Sequence, residues 1–279
     1  MTVIDMSIKA KIKNVAKETG VSHQEVLQMY LFEHFLLRLS KSDYRKNFIL
    51  KGGGILAQIF GEWQRTTRDL DATIKGISLN KQDISKIIKE IISININDEI
   101  VFTLSDVDDI RQDDIYSGIR VSINAKLGTI NENISIDMTT GDIITPRAIT
   151  FGYQMMFEDS VIKVFAYNVE TIIAEKFETI ITRGSLTTRA KDFYDIYMLV
   201  KIGKYDKDIL KQAIKRTFKR RNTELDIDMS ESVIEELKSN KNILDLWQKY
   251  QKTYKYAENI SIFDIVKSLL TIAENIDQK

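Results

Sequence analysis

Phe48-Ile49-Leu50-Lys51-Gly52-Gly53-Gly54-Ile55-Leu56, followed by Arg65-Thr66-Thr67-Arg68-Asp69-Leu70-Asp71-Ala72-Thr73-Ile74, is the stretch on which the reading of this chain turns. An apolar run enters three glycines, an apolar helical stretch covers Ile55 to Phe60, and a loop then feeds a second strand. Asp69 and Asp71 are two apart, so on an extended strand they project from one face while Leu70 and Ala72 point into the core. Two carboxylates on one face can share a pair of divalent cations, the arrangement that aligns attacking and leaving oxygens in phosphoryl chemistry. An Asp-x-Asp pair alone also arises at ordinary solvated strand ends. The glycines add to it, because free amides at a helix start, with no side chain in the way, let a phosphate approach the backbone. A flexible turn with positive φ would need the same glycines. Arg65 and Arg68 could pair with the carboxylates or with a triphosphate.

Composition narrows the chemistry. The chain has 279 residues, 40 basic and 40 acidic side chains, two histidines, one proline and no cysteine. That length suggests one large or two modest domains, and 43% hydrophobic residues suffice for a core. Without cysteine there are no disulfides, thiolate nucleophiles, thiolate-bound zinc or iron–sulfur clusters. His23 and His34 are alone, so any metal would be held by oxygen ligands, which favours magnesium, manganese or calcium. No signal peptide or membrane-spanning run is seen, and the expected address is the cytoplasm. Balanced charge argues against a uniformly basic nucleic-acid coat, but not against local patches.

The first 45 residues read as helices. Ser22 and Glu25 carry a capping-box signature, and Val26, Leu27, Tyr30, Leu31, His34 and Leu37 follow at helical spacing, which makes His34 a packed residue. Residues 79 to 92 read as a helix; Val101 to Leu104, Arg120 to Leu127 and Asn133 to Met138 alternate as strands. Helices are expected over 169 to 183, 190 to 202, 207 to 221, 230 to 255 and 261 to 276. The fold class is α+β, a core with a small mixed sheet and a helical C-terminal lobe, divided as residues 1–165 and 166–279.

A glycine-rich turn, a helix and a strand with paired aspartates together resemble the core of a polymerase-β-like nucleotidyltransferase, in which a neighbouring strand supplies a third carboxylate. Asp137 is the candidate, since Ser135, Asp137 and Thr139 share the polar face of their strand. Two further motifs make the resemblance specific. Asn168-Val169-Glu170-Thr171-Ile172-Ile173-Ala174-Glu175-Lys176 and Arg189-Ala190-Lys191-Asp192-Phe193-Tyr194-Asp195-Ile196-Tyr197 follow in order, and the chain is similar to the AbiEii/AbiGii toxin nucleotidyltransferases of bacterial abortive-infection and toxin–antitoxin pairs. The matched motifs span residues 48 to 197. The resemblance implies magnesium, a nucleoside triphosphate donor, an RNA acceptor such as the tRNA 3′ end, and a cognate antitoxin encoded beside the toxin. It implies metal ligation by Asp69, Asp71 and Asp137, phosphate contacts from Gly53, Gly54 and Arg68, and catalytic roles for Asp69, Asp71, Lys176 and Asp192, with Lys176 on the triphosphate. The family commonly has Ser or Thr where Gly54 stands, so a hydroxyl contact to phosphate is lost here.

Read physically, the Lys176 ammonium could neutralise triphosphate charge, or pair with Glu175 and Glu178 on the surface. Asp192 and Asp195, at i and i+3, could accept the proton of an attacking hydroxyl, orient Lys176, or hold Arg189. The acidic run Asp106, Asp108, Asp109, Asp113 and Asp114 lacks the glycine and terminal glutamate of a calcium loop and reads as a solvated loop. Lys211, Lys215, Arg216, Lys219, Arg220 and Arg221 form a basic helix beside Phe218. That face suits an RNA backbone, with Lys215, Lys219 and Arg220 as contacts, or is a solvated helix balanced by the acidic segment 224 to 236. Two other classes remain open: a non-catalytic nucleotide- or partner-binding module, and a metal-dependent nuclease using the same carboxylates.

Overall fold

The computed structural model describes residues 3–61, 65, 67–110 and 118–277. Asp113 and Asp114 of the acidic run lie outside them. The chain divides into two compact units, Met1–Asp142 with Ala148–Ala166, and Ile143–Arg147 with Tyr167–Lys279.

The first unit opens with helices α1 (Val3–Thr19) and α2 (His23–Lys41). Ser22 caps α2 through a capping box with Glu25, which satisfies the otherwise orphaned first-turn amides. Helix α2 is buried almost all round, and His34 packs as its spacing predicts: its Nδ1 lies 2.7 Å from Asp98 Oδ2. Arg38, one turn on, donates to both Asp98 oxygens at 2.7 Å and to the Ile100 carbonyl. Strand β1 (Phe48–Lys51) then leads through the glycines into α3 (Gly53–Phe60), followed by β2 (Asp69–Ile74), α4 (Lys81–Ile92), β3 (Val101–Ile110), β4 (Gly118–Leu127), β5 (Ile130–Thr139), β6 (Ile149–Gln154) and β7 (Val161–Ala166).

These strands form one mixed sheet of seven in the order β3-β4-β5-β2-β1-β7-β6. The sheet is larger than the sequence suggests: most of β6 is exposed or half-buried, and β7 alternates in burial but is apolar on both faces except at Lys163, so neither shows a clean apolar–polar alternation in sequence. The acidic run also differs from expectation. Asp106, Asp108 and Asp109 lie on β3 at the sheet edge, where Lys81 reaches Asp109 at 3.1 Å. Charged side chains there discourage pairing with another chain's strand.

The second unit is helical: α5 (Val169–Arg183), α6 (Ala190–Ile202), α7 (Lys207–Arg221), α8 (Ile227–Glu236), α9 (Lys241–Thr253) and α10 (Ile262–Asp277). The single helix expected over 230 to 255 is two. Asn240 ends the first run by capping the second, its side chain accepting from the Asn242 and Ile243 amides. The Ile143–Arg147 segment is tied to the start of α5: Asn168 Nδ2 donates to the Thr145 carbonyl at 2.7 Å, and the Thr145 amide donates to Thr171 Oγ1 at 3.0 Å. Among the described residues, no helix is long and apolar enough to cross a membrane.

Candidate active site

Strand register assembles the charged groups of the first unit. Lys51 of β1 stands opposite Asp71 of β2, Asp71 lies beside Asp137 of β5, and Asp137 faces Arg120 of β4. Residues in register share a face, so four strands present a row reading Arg120, Asp137, Asp71, Lys51. Asp69 and Thr73 lie two residues either side of Asp71 and point the same way. The paired aspartates are therefore on one face, with Asp137 on the adjacent strand beside them.

Each member of the row has a distinct environment. Asp71 is pushed up to about 6, first by removal from water and then by Asp137 and Asp69; Lys51 and Arg65 pull the other way without prevailing. Asp137 accepts two hydrogen bonds of 2.7 Å from Arg120, and the same guanidinium comes within 3.7 Å of Asp69. On the other flank, Lys51 Nζ donates at 2.7 Å to Asp142 Oδ2, which also accepts from Thr73 at 2.6 Å and Thr139 at 2.9 Å. Burial pushes the Asp142 carboxyl up, but Lys51 and the two hydroxyls outweigh it and hold it at about 2. Sequence reasoning missed Lys51, Asp142 and Arg120, because their roles depend on which strands are neighbours.

The glycines are required by close approach. Gly52 has φ of 66°, and a Cβ there would lie 2.2 Å from Asp71 Oδ2. A Cβ on Gly53 would lie 2.0 Å from Arg65 Nη1 and 2.7 Å from Thr67. Arg65 is buried against this turn, and Thr67 Oγ1 donates to the Asp69 carbonyl at 2.8 Å. The turn thus fits tightly to the carboxylate strand, and the first amides of α3 open beside it. Gly54 is buried, and a Cβ there would meet Leu70 Cδ1 at 3.3 Å. Arg68 is exposed.

The residues fit a divalent cation in one specific way. Among the described residues, no group of three or more His, Asp or Glu is placed to hold an ion by protein alone. Asp69 and Asp71 form a pair, and Asp137 is engaged by Arg120. Two carboxylates with the remaining positions left to phosphate oxygens and water is the usual manner of magnesium, and Asp71, a carboxylate held above its ordinary range, is a group that a cation would return to the charged form.

In the second unit, Lys176 of α5 donates to Asp192 at 2.6 Å and pairs with Asp195 at 2.7 Å, both on α6; Arg189 lies 3.8 Å from the other Asp192 oxygen. The Asp195 side chain is fully buried. Lys176 is thus paired with α6 carboxylates, while Glu178 takes Arg221 and the Thr223 hydroxyl. On α7, Lys215, Arg216 and Lys219 are exposed and Arg220 is half-buried. Phe218 is not beside them: it is buried and packs on Phe177 at 6.4 Å between ring centroids, as the stripe Ala213, Ile214, Thr217, Phe218 turns inward.

A mixed sheet carrying paired aspartates beside a glycine turn, with helices following, is the architecture of a nucleotidyltransferase. Two solved structures from Helicobacter pylori share the fold. A putative nucleotidyltransferase aligns at a TM-score of 0.52 with 15% identity, covering 91% of this chain and 95% of its own. JHP933 aligns at 0.50 with 15% identity, covering 91% and 92%. No curated protein matches the sequence. The family model for the nucleotidyl transferase AbiEii toxin of type IV toxin–antitoxin systems matches residues 34–271, and the chain belongs to that family. It is a nucleotidyltransferase of the toxin class, with a nucleoside triphosphate as substrate and an antitoxin as its counterpart.

Proposed function

We propose that the protein transfers nucleotides from a nucleoside triphosphate to the 3′ end of an RNA, a tRNA in the first instance, and thereby blocks translation and growth during phage infection. The observation that carries this reading is the register that sets Asp69, Asp71 and Asp137 together against the Gly52-Gly53 turn. Asp69 and Asp71, with Asp137 as a third carboxylate now bonded to Arg120, would hold magnesium as the cofactor. The ion supplies charge neutralisation for the triphosphate. The amides at Gly53 and Gly54 receive phosphate oxygens, and exposed Arg68 adds positive charge. Lys176 binds the triphosphate, and Asp192, which accepts its hydrogen bond, orients it. The acceptor 3′-hydroxyl attacks the α-phosphorus, a new phosphodiester forms, and pyrophosphate leaves. Positioning and charge neutralisation provide most of the acceleration. Lys215, Lys219 and Arg220 of α7 contact the RNA backbone. These substrates place the activity in the cytoplasm, with an antitoxin encoded beside the toxin.

The test incubates purified protein with total tRNA, magnesium and each labelled triphosphate in turn. The expected result is label transfer with lengthened RNA from at least one triphosphate. Shortened RNA would identify a nuclease, and no transfer from any of them, with folded protein and several RNA sources, would refute the reading.

A further inference from the structure

A lysine–tyrosine surface on the second unit has no part in the chemistry above. From Leu246 to Ala257 the chain carries Trp247, Tyr250, Tyr254 and Tyr256 interleaved with Lys249, Lys252 and Lys255, and no acidic residue. The run covers the end of α9 and the 3₁₀ turn Lys255–Ala257. Its inner part is core: Trp247 and Tyr250 are buried, their rings stacked at 5.3 Å, and the indole N–H donates to the Ile260 carbonyl at 2.9 Å. Its outer part is different. Tyr254 and Tyr256 are half-buried and stacked on each other at 5.2 Å with planes 25° apart. The Tyr250 and Tyr256 hydroxyls are 2.9 Å apart, and Tyr256 leans on buried Tyr194 of α6 at 4.7 Å.

The outer pair is therefore braced from beneath by other rings, so presenting it costs little further conformational entropy. Around it, Lys249, Lys252 and Lys255 are exposed, and Lys191 Nζ sits over the Tyr254 ring at 5.7 Å from its centroid, a long side chain that an incoming base would displace. Lys191 adjoins Asp192 in sequence on α6. Half-buried rings bordered by three exposed lysines, with Asp245 and Glu258 at the two ends of the run, match the two needs of an unpaired nucleic-acid strand: aromatic surface for bases and cations for phosphates. The basic face of α7 offers cations alone, since Phe218 is buried.

We infer that Tyr254 and Tyr256 form a stacking platform for unpaired bases of the RNA acceptor, with Lys249, Lys252 and Lys255 holding the adjoining phosphates. This rests on the reading that the acceptor is RNA.

The test measures fluorescence anisotropy of the full chain with a short unpaired RNA and with tRNA, alongside label transfer. The wild type is compared with Tyr254→Leu/Tyr256→Leu, Tyr254→Phe/Tyr256→Phe and Lys249→Gln/Lys252→Gln/Lys255→Gln. The leucine pair should weaken RNA binding about tenfold or more. It should raise KM for RNA while leaving KM for the triphosphate unchanged, the latter showing that the enzyme is folded even where the lost ring contacts lower its melting temperature. The phenylalanine pair should bind as the wild type does, and the glutamine triple should flatten the salt dependence by about two units of log–log slope. Wild-type transfer to RNA together with an unchanged leucine pair would overturn the platform alone. Failure of the wild type to bind or label any RNA would overturn both it and the acceptor reading. Tyrosine variants that altered self-association instead of RNA affinity would identify the surface as a protein interface and overturn the inference.

Discussion

The two charged clusters, the Asp69/Asp71/Asp137 row on the sheet and the Lys176/Asp192/Asp195 group on α5 and α6, contain the same residue types in opposite states. On the sheet, Asp71 lies between Asp137 and Lys51 and is pushed up to about 6 by burial, with Asp137 and Asp69 adding to it, despite Lys51 and Arg65. On the helices, one lysine sits within 2.7 Å of both carboxylates, one of them fully buried. In the first cluster a carboxyl is held above its ordinary range, where the proposed cation would bind; in the second the lysine is already paired and would reach the proposed triphosphate from that fixed position. A charge left under-compensated by its own protein is costly and marks a place where a ligand is expected, whereas a satisfied pair fixes geometry.

Variants should separate the two. Asp71→Asn should lower nucleotide transfer roughly a thousandfold while leaving the protein folded, and more resistant to heat in metal-free buffer, since a costly charge is removed. Transfer assays and thermal melts on the same sample check both halves. Lys176→Met should lower transfer too, since that lysine is proposed to bind the triphosphate, but unlike Asp71→Asn it should also cost about 3 kcal/mol of stability by stranding buried Asp195, as read from urea denaturation. Loss of stability in Asp71→Asn equal to that of Lys176→Met would erase the distinction.

A third buried charge gives a control away from both clusters. Burial pushes the Glu33 carboxyl up to about 8 from its ordinary 4.5, with Glu158 adding to this and the Met156 amide opposing it. Between those values the unfolded chain ionises while the folded chain keeps the proton, so stability should fall as pH rises from about 4.5 to about 8, by an amount on the order of a few kcal/mol. Melts across that range should show the slope in wild type and a flatter profile in Glu33→Gln. The smallest effect is expected on α7: Lys215→Gln/Lys219→Gln should leave stability within about 0.5 kcal/mol, these being exposed side chains, and reduce RNA affinity chiefly at low salt. Salt titration of RNA binding checks it.

The local parts of this arrangement were legible in the sequence. Period two put Asp69 and Asp71 on one face, the polar alternation of 135 to 139 nominated Asp137, and the glycines marked the turn. What stayed hidden depends on contacts between distant segments. Arg120 meets Asp137 and Lys51 meets Asp142 only because β4, β5, β2 and β1 are neighbours in the sheet. Strand β6 escaped notice because its burial pattern is irregular, β7 because its sequence is apolar on both faces except at Lys163, and the α8–α9 break because no proline or glycine marks it. The inward turn of Phe218 follows from the buried stripe on α7, which the run of basic residues obscured.

The most direct measurement runs wild type and Asp69→Asn side by side with tRNA, magnesium and the four triphosphates, and reads RNA length at single-nucleotide resolution. The account predicts lengthened RNA with wild type and unchanged RNA with the variant. Equal lengthening by both, or shortening by wild type, would contradict it.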